Sequence, residues 1–236
     1  MTNEKKTYFS PEPQLDAIDT ALCTPNLSVG FLKGNKLTFE HKVVIQPDTI
    51  EWLVEHDITV HIERQLGYSG NFIDLDYADV GAEIHDTQDT IFKCANIIVQ
   101  LAPLTLEELA KLSDEQVIIT LPRLEYMSKE EVEILQEKHI TAIALNEMYN
   151  VNGTPYVIDI IQIRNMPQIA NDVLTQLLLS ILGPMLFNNH LRHTIQINPA
   201  ILQAIYCYKG AICNQALAER LQLPYEDLSL WCWLWN

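Results

Sequence analysis

Glycine is scarce in this chain. Eight glycines stand among 236 residues, about 3% against a usual value of about 7%. They occupy positions 30, 34, 67, 70, 81, 153, 183 and 210, and no two are separated by a single residue. The G-x-G-x-x-G turn of a dinucleotide site is therefore absent, as is the G-x-x-x-x-G-K-[ST] phosphate loop. Basic residues are few as well. Fifteen Lys+Arg face 31 Asp+Glu, a net charge of −16. That balance excludes nucleic acid and anionic membrane surfaces as partners. Long apolar runs are missing. The greasiest stretch, 173–187, is interrupted by Thr175, Gln176 and Ser180 and is too short to span a bilayer. The five cysteines, at 23, 94, 207, 213 and 232, are odd in number and contain no C-x-x-C. Neither a zinc knuckle nor a thioredoxin-type pair is expected, and reduced thiols in a cytosol are. The first residues, Met1-Thr2-Asn3-Glu4-Lys5-Lys6, carry no apolar segment, so no signal peptide is expected and the expected location is cytoplasmic.

Against these absences stand 48% hydrophobic and 19% charged residues, enough apolar material for a real core. After a polar lead-in over 1–26, period-two or continuous apolar runs predict strands over 27–33, 58–63, 96–101, 116–121 and 140–145. Pro47 followed by Ile50, Leu53 and Val54 predicts a helix with a first-turn proline. Short helices are expected over 74–78 and 86–94. Thr105 with Glu108 and Ser128 with Glu131 read as capping boxes that open two more helices. Strands alternating with short helices mean βαβ units. The expectation over 27–148 is a flavodoxin-like, three-layer α/β fold: a parallel sheet with helices on both faces. Beyond Gly153 the pattern turns helical: 169–187 bent or ended by Pro184, a helix from Pro199 towards Tyr208, and 214–221 with Ala216, Leu217 and Leu221 on one face.

Particular residues carry a family resemblance. Val29-Gly30 with Lys33 precedes Glu40-His41-Lys42-Val43-Val44-Ile45-Gln46-Pro47, similar to E-N-R-V-A-L-T-P. Ile62-Glu63, Gly67, Phe72, Asp74, Tyr77 and Gly81-Ala82-Glu83-Ile84 follow in step. Pro103-Leu104 and Ile140-Thr141-Ala142-Ile143-Ala144 continue it, and Tyr206-Cys207-Tyr208-Lys209-Gly210 with 216–225 resembles V-Y-K-G and A-V-A-E-A-x-G-L-P-Y. In this order the motifs resemble the N-terminal half and the closing segment of the alanine dehydrogenase/pyridine nucleotide transhydrogenase family. The resemblance implies one discontinuous domain, 27–163 with 169–236, whose C-terminal helices pack back on the first part. The nucleotide-binding Rossmann domain that the family places between them is missing near 164–168, so no cofactor is expected.

Members of the family hold a small 2-oxo acid with an arginine, a lysine on its oxo group, and a histidine for proton transfer. The resemblance puts Lys42 at the arginine position, which keeps the charge but loses the two-pronged donor. It puts Leu101 at the lysine position and Arg123 at the histidine position, where arginine is a poor proton shuttle. The expectation is a non-catalytic relative with a carboxylate pocket built from Lys42 and Arg123, or a regulatory or interaction subunit. Its expected partners are a small amino or 2-oxo acid and a second copy of the chain in a dimer. The competing expectation is an oxidoreductase half working with a separate NAD-binding chain.

Other groups read as ordinary structure. His190 and His193 have i, i+3 spacing but no third ligand, and a solvated helix end accounts for them. Cys207 and Cys213 read as small buried hydrophobes. Trp231, Trp233 and Trp235 bring roughly 150–250 Å² of apolar area each and are expected to pack back on the domain or into a subunit interface.

Overall fold

The computed structural model describes residues 27–33, 45–120, 124–149, 174–183 and 199–230. Among these residues eight strands form one sheet in the order β3-β2-β1-β4-β5-β6-β7-β8. They are β1 (Ser28–Leu32), β2 (Thr59–Glu63), β3 (Glu83–His85), β4 (Ile97–Gln100), β5 (Val117–Thr120), β6 (Thr141–Ala144), β7 (Ile205–Tyr208) and β8 (Ala211–Ile212). Pairing is parallel from β3 through β6 and antiparallel for β6–β7 and β7–β8. Without β3, the five parallel strands run β2-β1-β4-β5-β6, the flavodoxin order.

The central strands are apolar on both faces, and the two faces of the sheet feed two separate cores. Val29, Phe31, Val60, Ile62, Val99 and Ile119 point to one side. Leu32, Ile98, Ile118, Ala142 and Ala144 point to the other. The first core is covered by α1 (Pro47–Glu55), α2 (Asp74–Asp79), α6 (174–183) and α7 (Pro199–Ala204). The second is covered by α3 (Gln88–Cys94), α4 (Leu106–Lys111), α5 (Lys129–Glu137) and α8 (Gln215–Leu221). Leu174, Leu177, Leu178, Ile181 and Leu182 of α6 are buried beside strand residues, each contributing about 1.5–3 kcal/mol.

Local signals produce these helices. Thr105 Oγ1 accepts from the Glu108 amide at 3.2 Å while a Glu108 carboxylate oxygen accepts from the Thr105 amide at 2.7 Å. Ser128 and Glu131 repeat the exchange at 3.2 and 2.6 Å. Both capping boxes satisfy amides that a helix start leaves free. Pro47 occupies the first turn of α1, with Ile50 and Leu53 buried.

Three expectations need correction. The helix from Pro199 ends at Ala204, and Ile205–Tyr208 is strand β7. The spacing of Ile201, Ala204, Ile205 and Tyr208 fits a helix, but pairing with the open edge of β6 overrides it. Glu83-Ile84-His85 adds strand β3, too short for its alternation to register in the sequence. On α8 the buried residues are Leu217 and Ala218, while Ala216 is exposed. His190, His193 and the three C-terminal tryptophans lie outside the described residues.

Candidate functional site at the carboxyl edge of the sheet

In a parallel sheet every strand ends on the same edge, and the chain order reverses direction at one point along it. Here that switch lies between β1 and β4, because the chain winds one way through β1, β2 and β3 and then crosses to β4. Ligands of open α/β sheets collect at such a crevice. The segment after β1 contains Lys42, the segment after β4 begins with Leu101, and Arg123 follows the neighbouring β5. Lys42 and Arg123 themselves lie outside the described residues. Leu101 is half-buried and packs against the first core.

The described cations on the β1–β2 part of this edge are engaged with acids. Glu63, 5% exposed, receives the Lys33 ammonium at 3.2 Å on Oε1. Its Oε2 accepts from the Lys33 amide at 2.9 Å and from the Gln88 side chain at 3.0 Å. The carboxylate is thus charge-paired and hydrogen-bonded, as burial demands. Arg64 pairs with Asp86 at 2.8 Å and Asp74 at 3.7 Å. Farther along, among the described residues, two buried side-chain oxygens have no hydrogen-bond donor: Gln100 Oε1 at the end of β4 and Asn146 Oδ1 just past β6. A cleft of about 410 Å³ opens between the β4–α4 connection and the turn at Leu124–Tyr126. Pro103, Leu104, Leu109, Ile118 and Met127 give it an apolar wall, with Glu131 as its charged group.

Residues 34–157 match the family described as alanine dehydrogenase/PNT, N-terminal domain. The match covers more than half of the chain. This protein belongs to that family. Among solved structures, an L-alanine dehydrogenase is 23% identical, with 58% of this chain and 37% of that one aligned at a TM-score of 0.49. A transhydrogenase from Sinorhizobium meliloti is 18% identical over 52% of this chain and 36% of the other, with a TM-score of 0.45. A formate dehydrogenase from Granulicella M. is 14% identical over 80% and 50%, with a TM-score of 0.35. The chain therefore spans little more than a third of the first two structures. No curated protein matches it. Among the described residues of this alanine dehydrogenase/PNT N-terminal domain, no helix is long and apolar enough to cross a membrane.

One constellation in this family member escaped the sequence reading. His61 on β2 lies opposite Glu83 on β3, and His85 is two residues farther along β3. His61 Nδ1 is 3.0 Å from His85 Nε2 and 3.2 Å from Glu83 Oε2, and the latter two atoms are 3.8 Å apart. His61 is 5% exposed, His85 half-buried and Glu83 open to solvent. Burial pushes the His61 imidazole below its ordinary range, an effect that the Glu83 carboxylate opposes. The neutral ring is the form that binds metals. No sequence spacing flags this trio, because its geometry needs the β2–β3 pairing. Of the two cysteines expected to be buried, Cys207 is buried and Cys213 is half-buried. Burial pushes the thiols of Cys207 and Cys213 up to about 12, which suits packing residues and not nucleophiles.

Proposed function

We propose that this alanine dehydrogenase/PNT N-terminal domain binds a small amino or 2-oxo acid at the carboxyl edge of its sheet without transferring hydride. The observation that carries this reading is the switch point between β1 and β4. It favours a crevice flanked by the segments bearing Lys42, Leu101 and Arg123. Lys33 and Arg64 are paired with Glu63, Asp86 and Asp74, and the family resemblance assigns carboxylate recognition to Lys42 and Arg123. Leu101 offers no donor to a carbonyl, and arginine at 123 offers no titration near neutrality. The chain has no glycine-rich dinucleotide turn, and hydride chemistry belongs to a bound nicotinamide. On this reading the stretches 27–163 and 169–236 form one domain from which the nucleotide domain has been lost near 164–168. Such a protein acts in the cytoplasm as a ligand-responsive regulatory subunit, as a dimer.

Calorimetry with pyruvate and L-alanine tests the proposal. Saturable heat at millimolar ligand is expected, weakened about ten- to hundredfold in Lys42→Ala and Arg123→Ala, as for a lost charge-assisted contact. No heat would leave only a scaffold role. NADH formation by the chain alone with NAD and alanine would refute the non-catalytic reading. Capture of a separate Rossmann-type chain that restores turnover would replace it with an oxidoreductase half.

A further inference from the structure

We infer that His61, Glu83 and His85 form a binding site for one divalent transition-metal ion of the zinc type. Zinc at about 2.05 Å from nitrogen and oxygen ligands in a tetrahedron sets those ligands about 3.3 Å apart. The three separations here, 3.0, 3.2 and 3.8 Å, bracket that value. All three ligand atoms lie within 4.8 Å of one another.

Hydrogen bonding alone accounts poorly for this convergence. His61 Nδ1 faces His85 Nε2 and Glu83 Oε2 at once, and a single N–H on that nitrogen serves one acceptor well. A divalent cation takes a lone pair from each of the three atoms together. Two imidazoles and a carboxylate are a zinc-type ligand set. The exposed Glu83 leaves the fourth position to water.

The surroundings hold the set in place. His61 and Glu83 are register partners in the parallel ladder, and Ile62 and Ile84 between the ligands pack into the first core. Gly30 is the register partner of His61 on the other side, in β1. A Cβ at Gly30 would meet Ile91 Cγ2 at 2.3 Å, so only glycine lets α3 lie this low over the face that carries His61. The nearest further carboxylate in the ladder, Glu63, is the register partner of His85. Its oxygens are occupied by Lys33 and Gln88. The site is therefore a three-residue set, on a backbone frame that exists without the ion.

Calorimetry of the chelator-stripped chain with ZnCl2 should show one saturable site per chain. Co2+ in its place should give the visible bands of a tetrahedral centre. His85→Gln and Glu83→Gln sit on the edge strand, away from the cores. Each should weaken Zn2+ more than about 100-fold, beyond the effect usual for an outer-shell partner, with an unchanged circular dichroism spectrum. The thermal midpoint of the parent chain should rise with Zn2+, and that of His85→Gln should not. Absence of a saturable site, or equal Zn2+ affinity in the parent and both variants, overturns the inference. The acidic surface of the chain would bind the ion in that second, nonspecific way.

Discussion

The sheet ends differently at its two edges. At one edge the parallel strand β3 is three residues long and carries Glu83 and His85 on one face. At the other edge the hairpin β7–β8 folds back antiparallel, and every residue of β7 is buried. A short, charged strand discourages pairing with other chains. A fully buried strand is part of the core, shielded by the short β8 beyond it. One edge is thus held by packing, and the other is free to carry polar chemistry. The contrast implies that mutations at the two edges separate stability from binding.

The sharpest way to break this contrast is Tyr206→Ala in β7. Tyr206 is 1% exposed, and truncating it should cost about 3–5 kcal/mol in urea unfolding. A cost below about 1 kcal/mol would mean that the antiparallel edge is not structural. Next comes the hairpin turn. Lys209 and Gly210 both have positive φ, 49° and 82°, as a tight two-residue hairpin requires. A Cβ at Gly210 would also meet the Gln136 carbonyl oxygen at 2.8 Å. Gly210→Ala should destabilise by about 1–3 kcal/mol.

The same edge should show a pH signature. In the folded chain Cys207 and Cys213 are raised from 9.0 to about 12. Below pH 9 both states keep the proton and the thiols do not affect stability differentially. Above it the unfolded state loses protons first. Stability should therefore fall as pH rises from 9 towards 12, on the order of 1 kcal/mol per thiol by pH 10. Cys207→Ala should flatten that part of the curve. At the other edge Glu83→Gln, measured in the presence of chelator, should change stability by less than about 0.5 kcal/mol. A larger loss would make β3 a structural strand after all.

The parallel body was legible because its signals are local. Strand β4 is an apolar run bounded by Asn96 and Pro103, and the helices after β4 and β5 announce themselves through Thr105 and Ser128. Strand β7 was not legible, since Ile201, Ala204, Ile205 and Tyr208 satisfy a helical repeat and only the waiting edge of β6 makes 205–208 extended. The metal trio was hidden for a related reason. His61 and Glu83 are 22 positions apart in the chain, and their meeting depends on a ladder of three residue pairs. The carboxyl-edge reading came instead from likeness, residue by residue, in the motifs around Lys42 and Pro103.

Because Ala142 of β6 and Cys207 of β7 are cross-strand partners, the polypeptide leaves and rejoins the sheet at adjacent points. Whatever lies between them is a closed excursion, and lengthening such an excursion twofold costs only about 0.6 kcal/mol of chain entropy. Extra residues inserted in this excursion should therefore leave the pairing of β6 with β7 in place. The excursion also carries α6 and α7, whose Leu178, Ile181 and Ile201 are buried in the first core, so a tether short enough to remove them should strip that face of the sheet of its cover.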